Sequence, residues 1–324
     1  MKAALVRELG ELDGVTVGEI EPPTVGPGQV VIDVAACAVN FPDVLMVRGM
    51  YQEKPRLPFS PGQEVAGVVS AVGDGVDGID VGDRVFAGTG VGGMAEQVVT
   101  RAGSVYPLPD GVDFATGSAF LTTYGTSWYA LAERGQLRAG ETLVVLGAGG
   151  GVGLAAVDIG RALGGRVLAG ASSPAKLAEA TRLGAAAVVD YSSEDLRSAI
   201  TAFTEGRGAD VVYDPVGGAL SEQALRSTAW EGRFLVIGFA AGEIPKIPLN
   251  LALLKGCSIV GVFLGSRSMR DPAGHRRSML ELIALWERGE LSPFVSQTFP
   301  LDQASEALRV LADREAIGKV VVTI

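Results

Sequence analysis

The sequence predicts an α/β protein of two domains, a β-rich one and a doubly wound parallel sheet of six strands wrapped by helices. Three observations carry this reading. Residues 1 to about 115 are short apolar runs cut by Gly and Pro turns. From about 116, apolar strands alternate with amphipathic helices, the texture of a parallel sheet. The first of those strands runs into a glycine-rich turn at the head of a helix.

In the first region Val30–Val34, Val65–Val72, Arg84–Phe86 and Glu96–Val99 read as strands, with turns at Pro22-Pro23, Gly26-Pro27-Gly28 and Asp80-Val81-Gly82-Asp83. Together they suggest a partly open β-barrel. The second region offers strands at 143–146, 166–169, 186–189, 210–213, 233–237 and 258–262, and helices at Gly153–Leu163, Pro174–Leu183, Leu196–Phe203 and Ser221–Ser227. After about 266 the sequence predicts a polar loop, Ser266–Arg277, a helix around Met279–Arg288 and a closing strand, Lys319–Val322, that returns to the first domain. The expected domains are therefore 1–115 with 266–324, and 116–265.

The chain has 324 residues, 48% of them hydrophobic and 20% charged, an ordinary globular composition. At roughly 100–200 residues per domain it holds two, each able to bury a core without staples. A net charge of −10 and an isoelectric point near 4.8 argue against nucleic acid and anionic membrane as partners, because phosphate surfaces repel acidic domains. Small-molecule chemistry leads. Two cysteines, Cys37 and Cys257, and one histidine, His275, make neither a disulfide framework nor a thiolate or histidine metal cage, so no metal site is expected.

The N-terminus shows no secretory pattern, and a cytoplasmic setting is expected. The most apolar run, Thr142–Val157, is too short to span a bilayer and is interrupted by glycines, so no membrane partner is expected.

Leu143–Leu146 is a strand, Gly147-Ala148-Gly149-Gly150-Gly151-Val152-Gly153 a turn, and Leu154–Val157 the start of a helix. This is the context in which Ala148, Gly149, Gly150, Gly151, Val152 and Gly153 would cradle a dinucleotide pyrophosphate. Glycine lets the backbone approach closely, and a helix N-terminus offers free N–H groups and partial positive charge. The fingerprint G-x-G-x-x-G takes the form Ala148-x-Gly150-x-x-Gly153, and no Lys follows it to make a nucleotide-hydrolysing loop. Glycines that merely pack a helix on a sheet are the bland alternative.

A fold built for NADH places Asp or Glu about 20 residues on, at the end of the second strand. Here that place reads Ala169-Gly170-Ala171-Ser172-Ser173-Pro174-Ala175-Lys176. Gly170, the hydroxyls of Ser172 and Ser173, a helix start and the cation of Lys176 make a seat for a 2′-phosphate, with no carboxylate to repel it, and Tyr191 adds a hydroxyl after the third strand. NADPH is thus the expected cofactor. A Ser-capped helix with a solvated Lys176 is the competing description.

These residues resemble the medium-chain dehydrogenase/reductase superfamily, and within it the zinc-free quinone oxidoreductases related to zeta-crystallin, over essentially the whole chain. The carriers are Asn40-Phe41-Pro42-Asp43, Arg48-Gly49-Met50-Tyr51, Pro61-Gly62-Gln63-Glu64-Val65-Ala66-Gly67, Val81-Gly82-Asp83-Arg84-Val85, Thr126-Ser127-Trp128-Tyr129-Ala130-Leu131, the 147–153 loop and Gly318-Lys319. The resemblance implies a GroES-like β-rich catalytic domain and a Rossmann domain. Asn40-x-x-Asp43 and Gly62-Gln63-Glu64 stand where zinc alcohol dehydrogenases carry Cys and His ligands, and Gly88–Gly93 replaces the cysteine-rich structural lobe.

Without a Lewis acid to stabilise an alkoxide, hydride should pass from the nicotinamide to an acceptor that is already electrophilic, a quinone or an α,β-unsaturated carbonyl. What remains is positioning, a donor to the oxygen gaining charge, and a proton. The resemblance puts Tyr51 and Asn40 in the cleft between the domains, Tyr51 as that donor and Asn40 orienting the nicotinamide ribose or the substrate carbonyl. Tyr51 as a loop aromatic and Asn40 as a helix cap are the alternatives. Asp43 and Arg48 are expected to hold the loop as an ion pair, and Gln63 and Glu64 to be structural.

Thr126, at an expected helix start, resembles a nicotinamide contact. Gly238, Phe239, Phe263 and Leu264 follow the fifth and sixth strands, where open α/β sheets hold ligands, and Lys319 resembles a terminal lysine near the cofactor. His275 is expected to be a surface residue. The leading expectation is a zinc-independent NADPH:quinone oxidoreductase. An enone or enoyl-thioester reductase, with Arg267, Arg270, Arg276 and Arg277 as a phosphate patch, is the second, and a non-catalytic NADPH-binding sensor the third. By resemblance, the edge strand near Ser258–Val262 pairs across a two-fold axis in a homodimer.

Overall fold

The structure, a computed structural model, describes residues 1–324. The chain begins with β1 (Lys2–Val6), β2 (Val15–Glu19), β3 (Gln29–Ala38), α1 (Phe41–Val47), β4 (Glu64–Val72), β5 (Arg84–Gly88), β6 (Gln97–Arg101), β7 (Val105–Pro107) and α2 (Phe114–Ser118). Helix α3 (Leu121–Trp128) then runs into a π-helical turn, Tyr129–Arg134. Strands and helices alternate thereafter: β8 (Thr142–Val145), α4 (Gly151–Ala162), β9 (Arg166–Ala171), α5 (Pro174–Arg182), β10 (Ala187–Asp190), α6 (Leu196–Phe203), β11 (Ala209–Asp214), α7 (Gly218–Arg226) and β12 (Thr228–Val236). The chain closes with α8 (Asn250–Lys255), β13 (Ser258–Gly261), α9 (Leu264–Arg270), α10 (Pro272–Glu287), β14 (Val295–Pro300), α11 (Ala304–Ala312) and β15 (Lys319–Thr323).

Two compact units result, Met1–Thr122 with Pro293–Ile324, and Thr123–Ser292. The first holds a seven-stranded sheet ordered β14-β15-β3-β4-β5-β7, with β6 also on β3, and the β1–β2 pair. Strand β3 serves β4, β6 and β15 at once, with register shifts between Val31 and Ile32 and between Val34 and Ala36 that bend it, as bulges do. Val30, Ile32, Val65, Val69, Val85, Met94, Val98, Val320 and Val322 form its core.

The second unit is an all-parallel six-stranded sheet ordered β10-β9-β8-β11-β12-β13. Chain order reverses between β8 and β11, so the carboxyl ends of these two strands mark the topological switch point where such folds hold ligands. All four residues of β8 are buried, as a strand covered on both faces requires. Helix α4 is buried from Gly153 to Gly160. Gly160 permits this, because a Cβ there would lie 2.5 Å from Leu143 Cδ2.

The segment after 266 corrects the sequence reading. Ser266–Arg277 is helical rather than a loop, because Asp271 accepts from Gly274 N–H at 2.8 Å and Pro272 opens α10. It also packs within the second unit, so the boundary falls near 293. Arg267 pairs with Glu133 at 3.0 Å, Ser278 donates to Glu133 at 2.6 Å, and Met279 lies against Gly125. His275 is half-buried on α10, and burial followed by the nearby Arg267 lowers its pKa. No helix is long and apolar enough to cross a membrane.

Candidate functional site

In the second unit the glycine turn sits at the switch point. Ala148 N–H donates to Gly170 O at 2.9 Å, tying the turn to the end of β9, and Gly150 N–H donates to Gly147 O at 3.1 Å. Gly147 has φ +60°, open to glycine at little cost. A Cβ on Gly153 would collide with the Gly147 carbonyl. Helix α4 starts behind Gly150 with no side chain capping it, leaving the orphan N–H groups and positive dipole end of its first turn for an anion. A Cβ on Gly150 would meet nothing nearer than Gly147 O at 3.7 Å, so this face of the cradle is open.

The predicted 2′-phosphate residues assemble beside it. Ser172 is exposed and Ser173 half-buried at the head of α5; Ser173 takes the N-cap position but makes no side-chain cap bond, which leaves its hydroxyl uncommitted to the helix. Tyr191 packs its ring against Gly170, where a Cβ would lie 3.2 Å from Tyr191 Cδ1. The Lys176 stem lies across Gly149.

The ends of β11 and β12 complete this edge. Asp214 accepts from Val216 and Gly217 N–H at 2.8 and 2.9 Å and from the Ser221 hydroxyl, fixing the turn that covers Gly147. Ile237 N–H donates to Asp214 O, and Ala240 and Ala241 N–H to Pro215 O and Val216 O, which brings Gly238 and Phe239 against that turn. Phe263 is 55% exposed beyond β13, and Leu264 packs on Gly125. Thr126 is the sixth residue of α3, so it is not a cap; the helix begins five residues earlier than expected.

In the first unit, Asn40, Glu64 and Lys319 form one buried cluster. Lys319 Nζ donates to Val39 O at 3.0 Å, Asn40 Oδ1 at 2.7 Å and Glu64 Oε1 at 2.9 Å. Asn40 Nδ2 donates to Glu64 Oε1 at 2.8 Å and Ala38 O at 3.4 Å, and Thr122 N–H reaches Glu64 Oε2 at 2.7 Å. An ammonium has three donors and an amide two, so both groups spend theirs inside the chain. The Lys319 ammonium is thus met within the first unit, and Asn40 keeps spare acceptor capacity at Oδ1. Glu64, expected to be structural, organises the cluster; its partners Lys319 and Thr122, distant in sequence, are what the sequence did not disclose.

Asp43 and Arg48 do not pair. Asp43 is fully buried, accepting from Asn40 N–H at 2.8 Å and Gly62 N–H at 3.1 Å, and burial pushes its carboxyl up to about 7 against those two donors. Tyr51 is half-buried, hydrogen-bonded to Gln63, and burial followed by the nearby Glu53 raises its pKa. Its hydroxyl therefore stays protonated at neutral pH.

The chain matches the family described as alcohol dehydrogenase GroES-like domain over residues 26–110, and that described as zinc-binding dehydrogenase over 151–283. It is 38% identical to quinone oxidoreductase-like protein 2 homolog of Nematostella vectensis, over 99% of this chain and 88% of that one. It is 34% identical to a phenolphthiocerol/phthiocerol polyketide synthase of Mycobacterium tuberculosis over 97% of this chain, which is 14% of the synthase polypeptide. The structure of Escherichia coli quinone oxidoreductase complexed with NADPH superposes with a TM-score of 0.93 over all of both chains at 26% identity.

The donor set does not fit the zinc that one family description implies. Burial, then Asp43 and Glu64, keep the Cys37 thiol protonated, and every carboxylate oxygen of Asp43 and Glu64 already accepts a hydrogen bond. No group of three or more His, Cys, Asp or Glu is disposed to hold a metal. With both family matches, a relative covered over 88% of its length and this architecture in agreement, the chain belongs to the medium-chain dehydrogenase/reductase superfamily, in its zinc-free quinone oxidoreductase branch.

Proposed function

We propose that the protein binds NADPH and reduces a quinone or another conjugated carbonyl without a metal, as a homodimer. The observation that carries the cofactor reading is the Lys176 stem lying across the glycine turn, with Ser172, Ser173 and Tyr191 beside Gly170 and no carboxylate ending β9. The α4 N-terminus, with Gly150, Gly151, Val152 and Gly153, receives the pyrophosphate. Lys176 and the two serines take the 2′-phosphate, Gly238, Phe239, Phe263 and Leu264 lie along the cofactor at the strand ends, and Thr126 contacts the nicotinamide side.

When bound, the cofactor supplies a hydride, and with a proton from water the quinone becomes a hydroquinone. The chain's part is to orient, to exclude water and to donate. Tyr51, kept protonated, donates its O–H to the acceptor oxygen that gains charge. Asn40 offers Oδ1 to a ribose hydroxyl, and Lys319 acts by orienting Asn40.

The test is oxidation of NADPH and of NADH by chelator-treated protein, followed by the absorbance of the reduced nicotinamide, with benzoquinone, phenanthrenequinone, a simple enone and crotonyl-CoA as acceptors. Faster turnover of NADPH with quinones is expected. The second reading, an enoyl-thioester reductase, is favoured by the likeness to a stretch of a polyketide synthase, and fastest turnover of crotonyl-CoA would establish it. It gains less from the arginines, since Arg267 is already paired with Glu133 and Asp271. Binding of NADPH with no acceptor reduced would instead mark a sensor.

A further inference from the structure

We infer that Gly149 is a specificity-determining residue, acting as a positioning element that holds the Lys176 ammonium at the cofactor's 2′-phosphate; the inference rests on the NADPH reading above. The glycines of the 147–153 turn are there for different reasons. Gly147 has a left-handed backbone, and at Gly153 a Cβ would strike the Gly147 carbonyl. Gly149 has neither constraint: its φ is not positive, and no backbone atom is among the nearest neighbours of a Cβ built on it. All three of those neighbours belong to one side chain. A Cβ there would fall well inside van der Waals contact of Lys176 Cβ and Cγ and 2.7 Å from its Cδ.

The contact involves the root of the lysine, not its tip. A flexible ammonium swings aside cheaply, but Cβ and Cγ are fixed by the first turn of α5, where Lys176 is the third residue. Because rotation about the lysine's own bonds leaves its Cβ in place, any side chain at 149 must push the start of α5 away and the root of the lysine with it. That displacement moves the cation that separates a 2′-phosphate from a 2′-hydroxyl. The pyrophosphate cradle is left as it was, because Gly150, Gly153 and the α4 N-terminus make no contact with Lys176 through this atom. Gly149 thus couples the phosphate turn to the discriminating lysine, and its effect should fall on NADPH over NADH, not on dinucleotide binding as such.

The experiment is calorimetric titration of the full chain with adenosine 2′,5′-bisphosphate and with AMP, probes that differ by the 2′-phosphate alone. The unsubstituted protein should bind the bisphosphate about ten- to a hundredfold tighter than AMP, the worth of a charge-assisted contact. Lys176→Ala should abolish that ratio. Gly149→Ala should cut it by a comparable factor while AMP affinity stays within about threefold, a separation that a general loosening of the turn does not produce. Equal losses for both probes, or an unchanged ratio, would overturn the inference. Lys176→Ala that keeps the preference would overturn the inference, by removing the lysine as the discriminating group, whereas an unsubstituted protein without preference would overturn the NADPH reading itself. Should Gly149→Ala fail to fold, Gly149→Ala with Lys176→Gly removes the colliding stem; folding restored and AMP bound would support the steric coupling, and a double variant that still fails would refute it.

Discussion

Lys319 Nζ and Glu64 Oε1 lie 2.9 Å apart with their side chains 6% and 1% exposed, an ion pair closed over the end of β3 by residues 255 positions apart. Burying two charges is repaid only when their remaining hydrogen-bonding capacity is met, and here Val39 O, Asn40 and Thr122 N–H meet it. Lys319→Met should therefore destabilise the protein by about 3–5 kcal/mol, since it strands a buried carboxylate. Adding Glu64→Leu should recover part of that loss. Urea unfolding of the single and double variants measures both, and two losses that simply add would show that the groups act independently.

Asp43 gives a pH dependence of known sign. Its folded carboxyl titrates near 7 against an ordinary value of 3.8, chiefly through burial. The folded state then holds more protons than the unfolded chain between about pH 4 and 7, so this group's contribution is full below that window and is lost as pH rises through it. The displacement corresponds to about 4 kcal/mol. Asp43→Asn should flatten the change in unfolding free energy between pH 4.5 and 7.5, at a uniform cost of about 1–3 kcal/mol for the N–H left facing an amide. Unfolding at the two pH values, with an undiminished slope in the variant, would place the titration elsewhere.

The parallel sheet was legible because buried strands such as Thr142–Val145 are continuous apolar runs and because the glycine turn announces its strand and helix. The α9–α10 segment was not, since Arg and Ser masked amphipathic helices, although Asp271-Pro272 carries a helix-start signal. Side-chain partnerships were the least readable. Asp43 and Arg48 sit five apart and carry opposite charge, yet the carboxyl turns inward to two backbone N–H groups. Lys319 beside Gly318 reads as a solvated end, yet strand pairing of β15 with β3 delivers it into the core. Pairing across the sheet, invisible to local pattern, decides which charges are buried.

Tyr51 is a donor candidate because it combines partial burial with a hydroxyl held protonated. Tyr51→Phe removes the donor and keeps the ring against the first unit's core. Turnover of a quinone should fall about a hundredfold, the worth of one donor to a developing oxyanion. NADPH affinity and the unfolding midpoint should stay as they were. A fall in KM-limited rate alone, with turnover at saturation unchanged, would assign the hydroxyl to binding instead.

The homodimer expectation has a physical basis in the second unit. Strand β13 is the edge of the six-stranded sheet, and near it Trp230, Leu249, Leu253 and Leu254 are 70–79% exposed, with Ile259 on β13 itself at 41%. An open edge beside large exposed apolar side chains invites pairing, and charges placed there oppose it. Leu253→Asp with Leu254→Asp should convert a dimer to a monomer by light scattering at micromolar concentration. The glycine turn lies toward the other end of the strand order, on β8 and β9, so binding of adenosine 2′,5′-bisphosphate should persist in the monomer. A dimer that survives both substitutions would move the interface away from α8 and β13.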